Sequence, residues 1–224
     1  MSFTEDLRDS ANTLWMKEHS HPFVTELGSG QLKLEIFQYY MKQDYLFLIE
    51  FSKVIALAVA KCRKLEDMEG FSKLLNDTIN VEMSLHVSFC DDFGISKNEL
   101  ITTNMSPTVH AYTRHMLEVA YSESAIHIAT AILPCSWGYS EIGKKLYSQG
   151  LPKQSPLYCR WIEMYNSDEF ADLAFWLRKF IDRESEGLPI TDLNRLKDIF
   201  IRSSQYEYAF WDAAYRMERW DPSP

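Results

Sequence analysis

Cys135 is the residue of this chain with the most chemistry in it, and it follows Pro134 inside a long apolar run, Ala125-Ile-His-Ile-Ala-Thr-Ala-Ile-Leu-Pro134-Cys135-Ser-Trp-Gly-Tyr139. Proline has no N–H for the carbonyl four residues back, so the spacing predicts a kinked or restarted helix here. A restart would put Cys135 at the opening of a half-helix, where N–H groups and the macrodipole favour a thiolate. Ile128, Ala131, Ile132, Tyr139 and Ile142 share its face at spacings of three, four and seven. A cysteine on such a face is ordinarily a small buried thiol.

Two carboxylates fall on apolar stripes of other predicted helices. Asp44 shares a face with Phe37, Tyr40, Phe47 and Phe51, and Glu207 with Phe200, Ser203, Phe210, Ala214 and Met217. Tyr112 occupies a similar stripe with Val109, Met116 and Ala120. An ionised carboxylate is costly to bury without partners, so either acid alone would read as part of a hydrogen-bond network between helices. Two such acids, a thiol and several phenols predict a polar hollow inside an aromatic cage. A flat heteroaromatic ligand suits that hollow, because rings stack on the walls and carboxyl groups meet ring or exocyclic nitrogens.

Two other chemistries compete for the same residues. A Cys–His nucleophile would need His86 or His115 beside the thiol. A di-iron centre would need Glu-x-x-His spacings, whereas Glu82 and His86 are four apart and no histidine follows His127. That spacing reads instead as an i,i+4 pair bracing adjacent helices.

The elements that must position these groups are helical throughout. Ser2-Phe-Thr-Glu5 is a capping box for a helix to about His19. His21-Pro22 interrupts, with a short turn from Phe23 to Leu27 before Gly28 and Gly30. Long helices are expected over Leu32–Cys62 and Glu66–Phe93, with a short piece capped by Ser96 and Glu99. Later helices are expected over Pro107–Tyr121, Ser124–Gln149, Pro156–Tyr165, Asp168–Glu186 and Thr191–Trp220; serine-proline pairs open two of them. No stretch alternates at period two. The reading is one all-α domain over residues 1–224.

Bulk composition narrows the function. Hydrophobic residues make up 46% of the 224, enough for a sizeable core, and 32 acidic against 23 basic residues leave a net charge of −9. That balance argues against nucleic acid or an anionic membrane as partner. Glu50, Lys53 and Lys61 interrupt the apolar stretches too often for a membrane span, and the N-terminus has no signal-like pattern. Cys62, Cys90, Cys135 and Cys159 lie far apart, as expected of free thiols in a cytoplasmic protein. Trp15 and Trp220 read as exposed aromatics, consistent with self-association.

In order along the chain, His21-Pro22-Phe23-Val24, Gln43-Asp44-Tyr45, Glu82-Met83-Ser84-Leu85-His86, Ser106-Pro107-Thr108, Leu133-Pro134-Cys135-Ser136-Trp137-Gly138-Tyr139, Trp161-Ile162 with Tyr165, and Tyr206-Glu207-Tyr208 with Phe210-Trp211 form a joint pattern. The chain thereby resembles the TenA family, the thiaminase II group of aminopyrimidine hydrolases, over nearly its whole length. The resemblance implies a haem-oxygenase-like helical bundle, usually a homotetramer, with no metal or organic cofactor and a small-molecule pyrimidine as substrate. It places the nucleophile on Cys135, the acid–base glutamate on Glu207 and the pyrimidine-holding aspartate on Asp44. Cavity tyrosines fall on Tyr112, Tyr139 and Tyr165, and ring-packing aromatics on Phe47 and Phe210. Relatives can carry tyrosine at the position of Phe47, and others carry glutamate in place of the cysteine. Retention of Cys135 favours the branch acting on thiamin or aminomethylpyrimidine. A non-catalytic pyrimidine binder and a metal-dependent oxidase are the alternatives on the same fold.

Overall fold

Helix caps set the local structure, as seen in a computed structural model whose described residues are 2–221, with the side chain of Leu85 excepted. Twelve helices lie among them: α1 (Phe3–Ser10), α2 (Asn12–His19), α3 (Pro22–Ser29), α4 (Leu34–Lys61), α5 (Leu65–Asp77), α6 (Met83–Asp92), α7 (Lys97–Thr102), α8 (Pro107–Ser122), α9 (Ala125–Gln149), α10 (Pro156–Asn166), α11 (Asp168–Ser185) and α12 (Ile190–Tyr215). A π-helical turn, Thr78–Glu82, joins α5 to α6. The capping boxes at Ser2 and Ser96 both form, each serine hydroxyl accepting the N–H of the glutamate three residues on. Ser106 caps α8 in the same way through the N–H of Val109.

Five expectations about elements need correcting. The N-terminal segment is two helices, because the chain turns at Ala11; this lets Leu7 and Trp15 both reach the core. Residues 22–29 form a full helix, because Pro22 occupies the first helical position and the His21 imidazole accepts the N–H of Phe23 at 3.1 Å. Gly30, at φ +75°, ends it in a left-handed conformation that favours glycine. The 66–93 stretch is interrupted by the π turn. Helix α12 stops at Tyr215, where Met217 takes φ +49° and the N–H of Glu218 returns to the carbonyl of Ala213. Finally, α9 passes through Pro134 as one helix and does not restart at Cys135.

The core sits between the long helices α4, α9 and α12, with α8, α10 and α11 packed against them. Trp15 is fully buried, correcting its exposed reading; its indole N–H reaches Ser204 Oγ at 3.0 Å and its ring stacks on Phe200. Trp220 is exposed and donates to the Met105 carbonyl. Gln43 on α4 ties in the start of α8: its amide donates to the Asn104 carbonyl at 3.0 Å, and its carbonyl accepts the Ser106 N–H at 2.8 Å. That clamp fixes where Tyr112 enters the interior.

Helices α9 and α10 meet at Gly143, where a Cβ would stand 2.4 Å from the carbonyl carbon of Tyr165. The obstacle is backbone, which cannot swing aside as a side chain can. Gly143→Ala should therefore lower stability by about 1–3 kcal/mol despite alanine's better helix propensity, read as a drop in the denaturant midpoint. An unchanged or higher midpoint would show that the two helices can separate freely.

Candidate active site

The site forms where α4, α8, α9, α10 and α12 converge. Helix α12 contributes Glu207, which is 2% exposed. The Tyr112 hydroxyl from α8 donates to its Oε1 at 2.5 Å, and the Cys135 thiol from α9 is its second hydrogen-bonding partner. Burial pushes Glu207 up to about 7, against the lowering effect of those two bonds. Thiol, phenol and carboxyl thus form one connected cluster drawn from three helices.

Aromatic rings hold that cluster in place. Tyr112 lies parallel to Tyr206 at 5.2 Å and against Phe47 at 5.2 Å, while Phe47 meets Phe210 edge-on at 5.7 Å. Tyr139 and Tyr165 pack at 4.8 Å, and Trp161 fits against Tyr165 at 4.5 Å. The Trp161 indole donates to the Tyr40 hydroxyl at 3.4 Å, and that hydroxyl lies 3.5 Å from the Tyr139 oxygen. Tyr40 also meets Phe210 at 6.0 Å, so seven of the eight residues singled out from the sequence, all but Asp44, belong to one connected region.

Asp44 is 6% exposed on α4 and hydrogen-bonds Tyr40. Burial raises it well above the ordinary carboxylate range, and the charges of Glu82 and Glu207 add to the effect. Asp44 and Glu207 are thus both driven toward the neutral acid. His86 lies 3.7 Å from Asp44 through Nδ1, and its Nε2 is 2.6 Å from the Met41 carbonyl, which accepts from an N–H there. Burial lowers His86 to about 4, so it is neutral and Nδ1 carries a lone pair.

The thiol also differs from expectation. Cys135 lies well inside α9, far from the N–H groups of its first turn. Burial raises its pKa well above the ordinary value, and Glu207, Glu82, Asp44 and Glu18 all reinforce the rise. The resting group is a thiol. The two histidines weighed as its partners are engaged elsewhere: His86 is bonded to the Met41 carbonyl and His115 to Ser203 Oγ. Among the described residues, no three His, Cys, Asp or Glu side chains converge in a way that could hold a metal.

Two acids escaped the sequence reading. Glu82, taken for a helical partner of His86, instead faces the Tyr165 hydroxyl at 3.5 Å and is pushed by burial to about 7. The π turn ends on it, and only the buried neighbourhood sets it apart from a surface glutamate. Glu18 on α2 is 1% exposed, accepts the Trp211 indole N–H at 3.1 Å, and is raised by burial and by the charge of Glu207. Its one sequence signal was an i,i+3 relation to Trp15 on a short helix.

A small hollow of about 10 Å³, room for roughly one water, is lined by Met41, Asp44, Glu82, His86, Trp161 and Tyr165 among others. A larger groove of about 1070 Å³ lies outside it, between α5–α6 and α10–α11.

An all-helical bundle enclosing a thiol, carboxyl groups and phenols defines the class, and the comparisons give the family. The sequence profile of the TENA/THI-4/PQQC family matches residues 8–217. The chain is 43% identical over 223 residues, 99% of each chain, to a protein of Halalkalibacterium halodurans named aminopyrimidine aminohydrolase. It superposes on a TenA homologue protein from P. horikoshii OT3 with a TM-score of 0.88 at 32% identity, covering 96% of this chain and 99% of that one. Haem oxygenase 2 from Chlamydomonas reinhardtii shares the fold alone, with a TM-score of 0.59 at 12% identity over 95% and 97% of the two chains. The chain belongs to the TENA/THI-4/PQQC family, and its fold is haem-oxygenase-like.

The raised Glu207 links the site to stability. Between the ordinary 4.5 and about 7 the folded state keeps a proton that the unfolded chain releases. Stability from this group is therefore present below pH 4.5 and lost as pH rises through 7. Glu207→Gln removes that loss, so its stability relative to the parent should increase from pH 4.5 to 7.5 in denaturant titrations. A difference independent of pH would show that Glu207 titrates normally.

Proposed function

We propose that the protein is an aminopyrimidine aminohydrolase of thiamin salvage. It would convert 4-amino-5-aminomethyl-2-methylpyrimidine to the 5-hydroxymethyl compound, and cleave thiamin as a thiaminase II. The observation that carries this reading is the Cys135–Glu207–Tyr112 cluster, electrostatically coupled to Asp44 within one aromatic enclosure. The name of the H. halodurans relative supports the substrate class.

Neutral Asp44 suits the 4-aminopyrimidine edge: its hydroxyl can donate to a ring nitrogen while its carbonyl accepts from the exocyclic amine. The planes of Phe47, Phe210 and the tyrosines match a flat ring. Glu207, poised near neutrality, can give a proton to a ring nitrogen and take the proton of the Cys135 thiol. A sulfur–carbon bond then forms at an electron-poor ring carbon without leaving an isolated thiolate among carboxylates. Loss of aromaticity lets the group on the exocyclic methylene depart, as ammonia or as the thiazole of thiamin. Water adds to that carbon, and expulsion of the sulfur restores the ring and returns the proton through Glu207. Tyr112 holds the Glu207 oxygen that it bonds, leaving the other free to move the proton.

The test is a steady-state assay with the aminomethylpyrimidine, following ammonia and the hydroxymethyl product. Parent protein should turn over, and Cys135→Ser should lose about a thousandfold or more in kcat while still binding the pyrimidine in calorimetry. Near-parent turnover in that variant removes the nucleophile. Binding by the parent without turnover favours a sequestering protein.

Among the described residues no helix is long and apolar enough to cross a membrane, in keeping with a cytoplasmic location. Exposed Met16, Tyr121, Phe175 and Ile190 support self-association, and a homotetramer is the assembly proposed. Light scattering should return the mass of four 26.2 kDa chains; a monomer mass sinks that assignment.

A further inference from the structure

Glu82 is a half-buried acid that the reaction as drawn does not use, and it stands at a junction. Three residues, Glu82, Phe89 and Met164, line both the inner hollow and the outer groove. They form the neck between the two, so a ligand passing from groove to hollow crosses the Glu82 carboxyl. Its only hydrogen bond is the long one from Tyr165, and no lysine or arginine pairs with it among the described residues. A half-buried carboxyl with so little compensation has capacity left for a cation.

The groove outside the neck is suited to cations as well. Both walls carry acids, including Glu69, Asp77, Glu163 and Asp172, around an apolar strip with Trp176. Its two basic residues are engaged, Lys73 with Asp77 and Arg160 with Asp92. Negative potential of this kind raises the local concentration of positively charged ligands.

Within the hollow, Asp44 and Glu82 share one lining, and the charge of Glu82 is felt at Asp44. A pyrimidine held at its amino edge by Asp44 would then direct its neighbouring exocyclic substituent toward the neck. In both substrates that substituent is cationic: an ammonium in the aminomethyl compound and a thiazolium in thiamin. We propose that Glu82 binds the cationic substituent on the exocyclic carbon at the neck, and then takes a proton from the water that replaces it. This rests on the aminohydrolase reading given above.

The step balances. The carbon–nitrogen bond breaks with its electron pair going to nitrogen, and ammonia leaves into the groove. Water oxygen bonds to the exocyclic carbon, one of its protons passes to the Glu82 carboxylate, and the ring electrons return as sulfur departs. Glu82 then releases the proton to the ammonia at the neck, giving ammonium, or to water in the groove when the leaving group is the neutral thiazole. Ionisation at about 7 lets Glu82 serve in both forms near neutral pH.

The test separates charge recognition from packing. In a Cys135→Ser background, calorimetry compares the aminomethylpyrimidine with its neutral hydroxymethyl product, with and without Glu82→Gln. The amine should lose about tenfold or more in affinity, as expected for a charge-assisted bond, while the hydroxymethyl compound stays within about twofold. With Cys135 intact, Glu82→Gln should reduce kcat by about a hundredfold. Glu82→Ala serves as the second variant and should give the same split. Equal losses for both ligands, unchanged amine affinity or unchanged kcat would overturn this assignment alone. Failure of Cys135→Ser to bind either pyrimidine would overturn it together with the function on which it rests.

Discussion

Four carboxyl groups, on Glu18, Asp44, Glu82 and Glu207, are enclosed with the Cys135 thiol, and none pairs with a lysine or arginine among the described residues. Charge on one of these groups raises the cost of charge on its neighbours, as Glu207 does for Glu18 and Asp44. The structure meets this constraint with weakly acidic hydrogen-bond donors. Tyr112, Tyr165, Tyr40 and the indoles of Trp161 and Trp211 serve the carboxyl groups directly or through one another. Protons, rather than salt bridges, keep the interior neutral. A site organised in this way holds acids that can give or take a proton at little cost near neutral pH.

The same constraint reshapes the role of the cysteine. A helix N-terminus or an adjacent cation is the usual way to lower a thiol pKa, and among the described residues neither adjoins Cys135. Acids on every side make a free thiolate unfavourable, which protects the resting thiol from indiscriminate reaction. On the function proposed above, nucleophilicity would depend on a ligand that accepts a proton as the thiol gives one up. Binding and activation would then be one event, with Glu207 as the shared carrier. Tyr112 fixes this carrier from one side while the Phe47–Phe210 contact restricts the space around it.

Positioning these groups requires close helix packing. Gly143 lets α10 approach α9 until Tyr165 meets Tyr139, and the Gln43 clamp sets the entry of α8 that carries Tyr112. The π turn before α6 ends on Glu82 at the neck. Wide turns of this type recur where a helix must re-aim one side chain. Each device is local, yet each moves one polar group into the shared enclosure.

Helical periodicity, the serine caps and the apolar faces of Asp44, Cys135 and Glu207 were legible in the chain, because amphipathic spacing reports burial whatever the partner helix. Motif order located the tyrosines and phenylalanines of the cage as well. What the sequence could not reveal were the breaks at Ala11 and in the 78–82 turn, the unbroken passage of α9 through Pro134, the burial of Trp15 and Glu18, and the place of Glu82 beside Tyr165. Those features depend on which helices lie against one another, and local spacing carries no record of that. The protonation of the site was hidden for the same reason. A pKa inside a protein is set by neighbours distant in sequence, so only the assembled bundle could decide that Cys135 rests as a thiol and Asp44 leans toward the neutral acid.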